Sequence, residues 1–204
     1  MPSKTEALRP LPPPPKGLLA PNKLPKKAPK KYKVEFKTTR GTFVLDVTRA
    51  RAPYSADRFF GLVKSRYFDG VRFFDITPGQ QIDFGVHGHP AVNRVWANAR
   101  MLDDIPHWSN RRGLVSFSSV GPMTRTTRLT IHMADNQRLD DKGYVPFAYV
   151  SSGMQVLANL YSGYGPSRLE GKGPRLDRVM SEGNPYLAKE FPKLDYIKSA
   201  AVIR

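Results

Sequence analysis

The chain has 204 residues, of which 40% are hydrophobic and 11% aromatic, as expected for one globular domain with a buried core. Its 33 Lys and Arg against 17 Asp and Glu give a net charge of +16. Such an excess favours nucleic acid as a partner, then an anionic membrane surface, although a merely basic, soluble surface is a third interpretation. The absence of cysteine excludes disulfides, thiol catalysis and thiolate metal sites.

No apolar run approaches the ~18 residues of a membrane span, and the N-terminus lacks the apolar core of a secretory signal. The sequence therefore predicts a soluble or peripheral protein.

Residues 1–31 are predicted to form a separate basic arm. The segment holds nine of the 19 prolines, and eight Lys or Arg against one Glu. Proline removes backbone donors and favours extended polyproline II, so the arm cannot build a core of its own. It is either a disordered tail or an arm that orders on an anionic partner, and we favour the second. Its leucines would then be small apolar anchors: Leu11, Leu18, Leu19 and Leu24.

The domain, residues 32–204, begins with a predicted hairpin. Residues 32–37 alternate apolar and charged, as in a half-buried strand, and a turn leads to a return strand at 42–48. A helix follows, with Ser55 as the N-cap and Tyr54 packed onto Phe59.

More strands are predicted at 71–76 and 80–85, around the turn Pro78-Gly79, and after an irregular excursion at 86–112. They lie at 113–118, 127–133, 144–150 and 196–203. A second main helix is expected after Ser151 or Ser152, ending at Gly163, and short helices to Ser181 and Phe191. Short strands with two main helices favour a mainly β fold, a closed antiparallel barrel capped by helices, because closure removes exposed sheet edges. Periodicity alone leaves a sandwich with appended helices open.

Several segments match one family in order and spacing. They are GLVKSRYFDG (61–70), RFFDITPGQQIDFG (72–85), NRRGLVSF (110–117), GPMTRTT (121–127), LDDKGYVPF (139–147) and a C-terminal stretch at 183–197. In these segments the chain resembles the cyclophilin-type peptidyl-prolyl cis-trans isomerases, bacterial-type members in particular, over residues 32–203. The resemblance implies an eight-stranded antiparallel barrel with a helix over each open end.

The resemblance also assigns the proline-binding groove, and its chemistry is altered in this chain. The family's catalytic arginine, which donates a hydrogen bond to the prolyl nitrogen, falls at Asp75. The glutamine that orients this arginine falls at Asp83, and apolar pocket positions carry polar side chains. The pocket positions are Gln80, Gln81 and Thr130. The other groove positions are Phe73, Ser119, Arg128, Leu139 and Tyr144.

An ionised aspartate accepts hydrogen bonds and donates none, so Asp75 reverses the role of the family's arginine. The sequence therefore predicts a degenerate groove without ordinary isomerase activity, on a fold kept for its shape. A rearranged arginine could instead supply the missing cation. The candidates are Arg72, Arg125 and Arg128. We prefer an ion pair of Arg128 with Asp75 or Asp83, which would fill the groove.

No metal or cofactor is predicted. His87 and His89 lie in an irregular, Gly-rich segment without helical spacing, and the chain has no cysteine ligands. Glycines are not placed between a strand and a helix as a phosphate-binding loop requires. Ser116 and His132 lack the sequence context of a nucleophilic serine.

The basic residues predict a large protein or ribonucleoprotein assembly as the partner, with RNA reached through the arm. The candidate anion-binding residues are Lys23, Lys26, Lys27, Lys30, Lys31, Arg111 and Arg112. Arginines of the domain also interleave with Trp96 and Trp108, which suits phosphate contact with stacking on unpaired bases.

The leading hypothesis is a structural or docking subunit of an intracellular ribonucleoprotein, such as an organellar ribosome, with the mitochondrion as the candidate compartment. An active isomerase and a scaffold subunit of a membrane-bound complex are the rivals. No small-molecule substrate is expected.

Overall fold

The structure, a computed structural model, describes residues 11, 13–25, 27–167 and 172–203. The strands are β1 (Lys31–Thr38), β2 (Gly41–Thr48), β3 (Asp75–Thr77), β4 (Gln81–Phe84), β5 (Leu114–Phe117), β6 (Leu129–His132), β7 (Pro146–Ser152) and β8 (Ile197–Ile203). The α-helices are α1 (Pro53–Lys64), α2 (Pro90–Trp96), α3 (Met154–Ala158), α4 (Leu176–Glu182) and α5 (Asn184–Glu190).

The strands form one antiparallel sheet in the order β3-β4-β6-β5-β7-β2-β1-β8. The sheet curls until its edges meet. A bridge joins Arg72 to Tyr196, and the Phe73 amide donates to the Asp195 carbonyl at 2.9 Å. This confirms the mainly β, barrel-like fold predicted from the sequence and rules out the alternative, a sandwich with appended helices.

Aromatic side chains fill the interior of the barrel. The rings of Phe36 and Phe43 stack with centroids 4.8 Å apart, and Phe59 of α1 lies 5.2 Å from Phe147. Because Phe59 and its α1 neighbour Leu62 are fully buried, α1 closes one end of the barrel.

The start of α1 differs from the prediction. The helix begins at Pro53, and Ser55 is not its N-cap. Instead the carboxylate of Asp104 accepts hydrogen bonds from the amides of Tyr54 and Ser55 and from Ser55 Oγ. Tyr54 is 47% exposed, so it does not pack onto Phe59 as expected. A residue 49 positions away replaces the local cap.

The start of the second main helix and the segment 86–112 also differ from the prediction. Ser151 and Ser152 continue β7, and α3 starts after Gly153, whose φ of 87° is left-handed, and has only five residues. The excursion, expected to be irregular, contains α2. His89 Nδ1 accepts from the Ala91 amide at the start of α2, and Trp96 is buried. The short C-terminal helices are confirmed as α4 and α5.

The described part of the arm packs on the domain rather than standing apart from it. Leu18 is 1% exposed, and its carbonyl accepts a hydrogen bond of 2.8 Å from the Trp96 indole. Further along, the Ala28 amide donates to Asp57 Oδ1 at 2.8 Å. Leu18, predicted to anchor on a partner, therefore anchors on the chain's own domain.

None of the helices within the described ranges is long and apolar enough to cross a membrane.

Candidate active-site groove

The altered groove positions come together because three neighbouring strands place them in one row. In β3, β4 and β6, Asp75 is opposite Asp83 and Asp83 is opposite Thr130. Directly opposite residues of antiparallel strands project from the same face. Pro78 and Gly79 (φ 71°) make the β3–β4 turn, since a type II turn needs positive φ at its third position.

Asp75 is held by two donors. Arg128 Nη2 donates to Asp75 Oδ2 at 2.9 Å, and the Ser167 amide donates to Oδ1 at 2.9 Å. The Asp75 side chain is 15% exposed and that of Arg128 is 27% exposed. The ion pair expected from the sequence is therefore present, and it involves Asp75 rather than Asp83.

Asp83 is held by a different set of donors. It is 7% exposed and accepts from Gln81 Nε2 at 2.6 Å, from Ser118 Oγ at 3.3 Å and from Thr130 Oγ1. Two carboxylates facing each other on adjacent strands repel. Burial raises the pKa of Asp75, and the charge of Asp83 raises it further, against the lowering effects of Ser167 and Arg128. Arg128 partly offsets this repulsion.

A cavity of about 200 Å³ remains beside the ion pair. Its lining is Asp83, Ser118, Val120, Thr124, Thr126, Arg128 and Tyr144. Only Val120 is aliphatic, and it is 92% exposed. Burial and the nearby charge of Asp83 raise the pKa of Tyr144, so it remains a neutral phenol. The cavity is therefore lined by polar and apolar groups together, and its one cation is already paired.

The remaining predicted positions do not join this row. Phe73 is fully buried in the barrel core, and its ring lies 5.2 Å from that of Phe84. Gln80 is exposed in the turn, and Leu139 is 9% exposed in a 3-10 turn at Gln137–Lys142. Ser119 donates from Oγ to the Gly121 carbonyl at 3.0 Å.

Sequence reasoning missed Ser118 and Ser167. Ser118 continues β5, and its amide donates to the Arg128 carbonyl at 2.9 Å. Since Ser116 pairs with Thr130, period-2 alternation from Ser116 would have placed Ser118 on the same face. Ser167 donates through its backbone, which no side-chain pattern reveals.

Two other arginines offered as replacement cations are engaged elsewhere. Arg125 is fully buried and binds Asp103 at 3.0 Å and Asp104 at 3.3 Å, so it cannot turn into the groove. Arg72 is half-buried at the barrel seam and donates to the Leu194 carbonyl at 3.3 Å.

The histidines and serines singled out by the sequence have structural partners. His87 Nδ1 accepts a hydrogen bond of 2.9 Å from the His89 amide, so this nitrogen is already engaged with the backbone. Ser116 Oγ lies 3.1 Å from His132 Nε2, but both residues are fully buried. Burial lowers the pKa of His132 to about 4, so its ring is neutral at physiological pH.

Comparison with known proteins identifies the family. The family described as "Cyclophilin type peptidyl-prolyl cis-trans isomerase/CLD" matches residues 33–178, more than half of the chain. The chain therefore belongs to the cyclophilin-type peptidyl-prolyl cis-trans isomerase family.

Curated relatives carry the same family name. A peptidyl-prolyl cis-trans isomerase of Acinetobacter baylyi is 28% identical over 129 residues, which are 61% of this chain and 69% of that protein. One of Arabidopsis thaliana is 28% identical over 162 residues, 74% of this chain and 97% of that protein. The protein ppi1 of Schizosaccharomyces pombe is 27% identical over 128 residues, 60% of this chain and 81% of its own length.

Solved structures show the same fold. A cyclophilin type peptidyl-prolyl cis-trans isomerase of Cryptosporidium parvum is similar with a TM-score of 0.62 at 20% identity, over 85% of this chain and 98% of that one.

Proposed function

We propose that this chain is a cyclophilin-fold protein without prolyl isomerase activity, acting as a basic structural or docking subunit of a large intracellular assembly. The observation that carries the proposal is the ion pair between Asp75 and Arg128 at the centre of the groove, 2.9 Å long. The net charge of +16 favours a ribonucleoprotein as the assembly, with an organellar ribosome of the mitochondrion as the candidate.

The ion pair opposes the chemistry that the family's reaction needs. Rotation about a peptide bond has a barrier of about 18–20 kcal/mol, which falls when a donor stabilises the prolyl nitrogen as it leaves the amide plane. Asp75 offers only acceptors to that nitrogen. Arg128 is the nearby cation, but its Nη2 already donates to Asp75.

The pocket also presents charged and hydroxyl groups to a proline ring. Its walls carry carboxylate, hydroxyl and guanidinium groups from Asp83, Ser118 and Arg128. Covering such groups with an apolar ring costs desolvation that the ring does not return as hydrogen bonds. Weak proline binding is therefore expected as well as slow isomerisation.

One observation keeps an active isomerase as the second candidate. Arg128 lines the cavity, and its Nε is buried with no hydrogen-bond partner among the described residues. A proline peptide that displaced Asp75 could receive a hydrogen bond from this guanidinium.

A protease-coupled isomerisation assay on the purified full chain separates the two candidates. We expect the rate of a proline tetrapeptide to stay at the uncatalysed value in wild type and in Arg128→Ala. The matched control is Arg138→Ala, which removes an exposed arginine that binds Asn136 outside the ion pair. Catalysis by wild type that Arg128→Ala abolishes and Arg138→Ala retains would establish the active isomerase.

The assembly part of the proposal has its own test. The native protein, isolated from its source under gentle conditions, should migrate far above its 22.9 kDa mass and lose that size after ribonuclease treatment. Migration as a free monomer would contradict the subunit role, and a large complex that resists ribonuclease would contradict the ribonucleoprotein.

A further inference from the structure

One arginine of the domain is held by aromatic rings instead of carboxylates. The guanidinium carbon of Arg51 lies 3.2 Å from the ring centroid of Trp108 and 5.9 Å from that of Tyr149. These rings are not core residues, because Trp108 is 41% exposed and Tyr149 is 37% exposed. Cation–π contact fixes the orientation of the guanidinium while it leaves its charge in place.

The charge around these rings is not neutralised. Among the described residues, none of the ion pairs involves Arg51, Arg111, Arg112 or Lys31. The acid nearest to Tyr149 is Asp46, and it is already used. Asp46 pairs with Lys33 at 3.3 Å and accepts hydrogen bonds from Tyr149 and Ser151.

Strand pairing brings these residues, which are far apart in sequence, to one side of the barrel. Lys31 is opposite Thr48 at the end of the β1–β2 pair, and the Arg49 amide donates to the Lys30 carbonyl at 2.9 Å. Arg51 follows within the same 3-10 turn. Across the sheet, Tyr149 is opposite Leu114, directly after the turn that carries Arg111 and Arg112.

We propose that this surface, the basic aromatic face, binds single-stranded RNA. It consists of Lys31, Arg51, Trp108, Arg111, Arg112 and Tyr149. Bases stack on Trp108 and Tyr149, and the cations contact the phosphates. The inference rests on the proposed ribonucleoprotein role and names the surface that carries it.

The aromatic rings distinguish single-stranded RNA from other anionic partners. Exposed ring faces stack on unpaired bases, whereas the bases of a duplex are already stacked on one another. An acidic protein segment would use the cations alone. The other tryptophan, Trp96, is 1% exposed and gives its indole N–H to the Leu18 carbonyl, so only Trp108 of the two is placed to stack.

The test uses the full chain and a labelled 12-nucleotide oligouridine, with a duplex RNA of the same length for comparison. Binding is followed by anisotropy and by quenching of tryptophan fluorescence, which reports on Trp108 because Trp96 is buried. We expect the single strand to bind more tightly than the duplex. Affinity should fall steeply between about 50 and 200 mM salt, as phosphate contacts require.

Variants locate the site. Trp108→Ala and Tyr149→Ala should each weaken oligouridine binding about fivefold or more, while Trp108→Phe keeps most of the affinity, because stacking needs a ring rather than an indole. The matched control is Tyr196→Ala. Tyr196 is also 37% exposed and lies 5.5 Å from an arginine, Arg72, but at the barrel seam. Tyr196→Ala should bind oligouridine as tightly as wild type does. Melting curves of all variants check that each is folded.

The contradicting outcomes separate this inference from the proposed function. If wild type binds the oligouridine and the Trp108 and Tyr149 variants bind equally well, the basic aromatic face is wrong while an RNA-binding subunit stands. If polyglutamate binds as tightly as oligouridine, and the Trp108 and Tyr149 variants lose that binding, the partner of this face is an acidic protein. If no RNA binds even at low salt, the ribonucleoprotein role itself is contradicted.

Discussion

The groove and the basic aromatic face treat arginine in opposite ways. In the groove, Arg128 directly precedes β6 and forms an ion pair with Asp75, which faces Asp83 on the adjacent strand. On the basic aromatic face, Arg51 is held by Trp108 and keeps its charge without a carboxylate. In the groove, the charge of the arginine is therefore neutralised by a carboxylate of the same chain, whereas the charge of Arg51 is not.

The largest expected effect on stability comes from a third arginine, Arg125, whose ion pairs are buried within the fold. Arg125→Ala should reduce the free energy of unfolding by about 3–5 kcal/mol, because it leaves Asp104 buried without its cation and loosens the cap of α1. Urea denaturation measures the loss. Arg138→Ala, at an exposed position, is the control and should change stability by less than about 0.5 kcal/mol. If Arg125→Ala lost less than about 1 kcal/mol, the buried arginine would contribute no more to stability than an exposed ion pair does, and burial would not distinguish Arg125 from Arg128 and Arg51.

The second effect tests whether the arm, which leads into Lys31 of the basic aromatic face, is fixed to the domain. Leu18→Ala should cost about 2 kcal/mol or more in unfolding free energy, since Leu18 is 1% exposed. The neighbouring Leu19 is 39% exposed, so Leu19→Ala should be close to neutral. Equal, small losses in both variants would mean that the arm does not dock on the domain in solution.

The third effect is a difference in pH dependence between two aspartates. The pKa of Asp75 is raised by burial and by Asp83, so the unfolded state ionises first and wild type loses stability relative to Asp75→Asn as pH rises. Each pKa unit corresponds to about 1.4 kcal/mol.

Asp57 should give a change of stability with pH of the opposite sign. Burial acts to raise its pKa, but hydrogen bonds from Arg49 and the Ala28 amide outweigh burial and lower it. Wild type should therefore gain stability relative to Asp57→Asn as pH rises to the unfolded value of about 4, whereas the loss from Asp75 begins near that pH and continues above it. Unfolding at several pH values measures both slopes. Slopes of the same sign would contradict the account of two repelling carboxylates in the groove.

The smallest effect on stability is expected on the basic aromatic face. Arg51→Ala and Trp108→Ala should each change the free energy of unfolding by at most about 1 kcal/mol, the range of an exposed cation–π contact. Thermal melts check this expectation. A loss of several kcal/mol would assign the pair to the fold rather than to a partner.

The sequence predicted the barrel, and aligned Asp75 with Asp83 and Thr130, because both depend on local patterns. Alternation along β1 predicts a half-buried strand, and Pro78-Gly79 predicts a turn. A resemblance in ordered short segments then aligned Asp75, Asp83 and Thr130, which the sheet register places in one row.

What the sequence did not reveal depends on contacts distant along the chain. The cap of α1 comes from Asp104, and the arm's Leu18 is fixed by Trp96 across 78 positions. The resemblance places Phe73 among the groove positions. Its side chain instead points into the barrel core and packs on Phe84. Neither spacing nor composition carries such information.

NMR exchange spectroscopy of a proline peptide with the full chain tests most directly whether the groove isomerises proline bonds. Uncatalysed cis and trans forms exchange in tens of seconds or more, too slowly to give exchange peaks. We predict that the spectrum stays free of cis–trans exchange peaks at a stoichiometric amount of the protein. Exchange peaks that appear with wild type and disappear with Arg128→Ala would contradict the account.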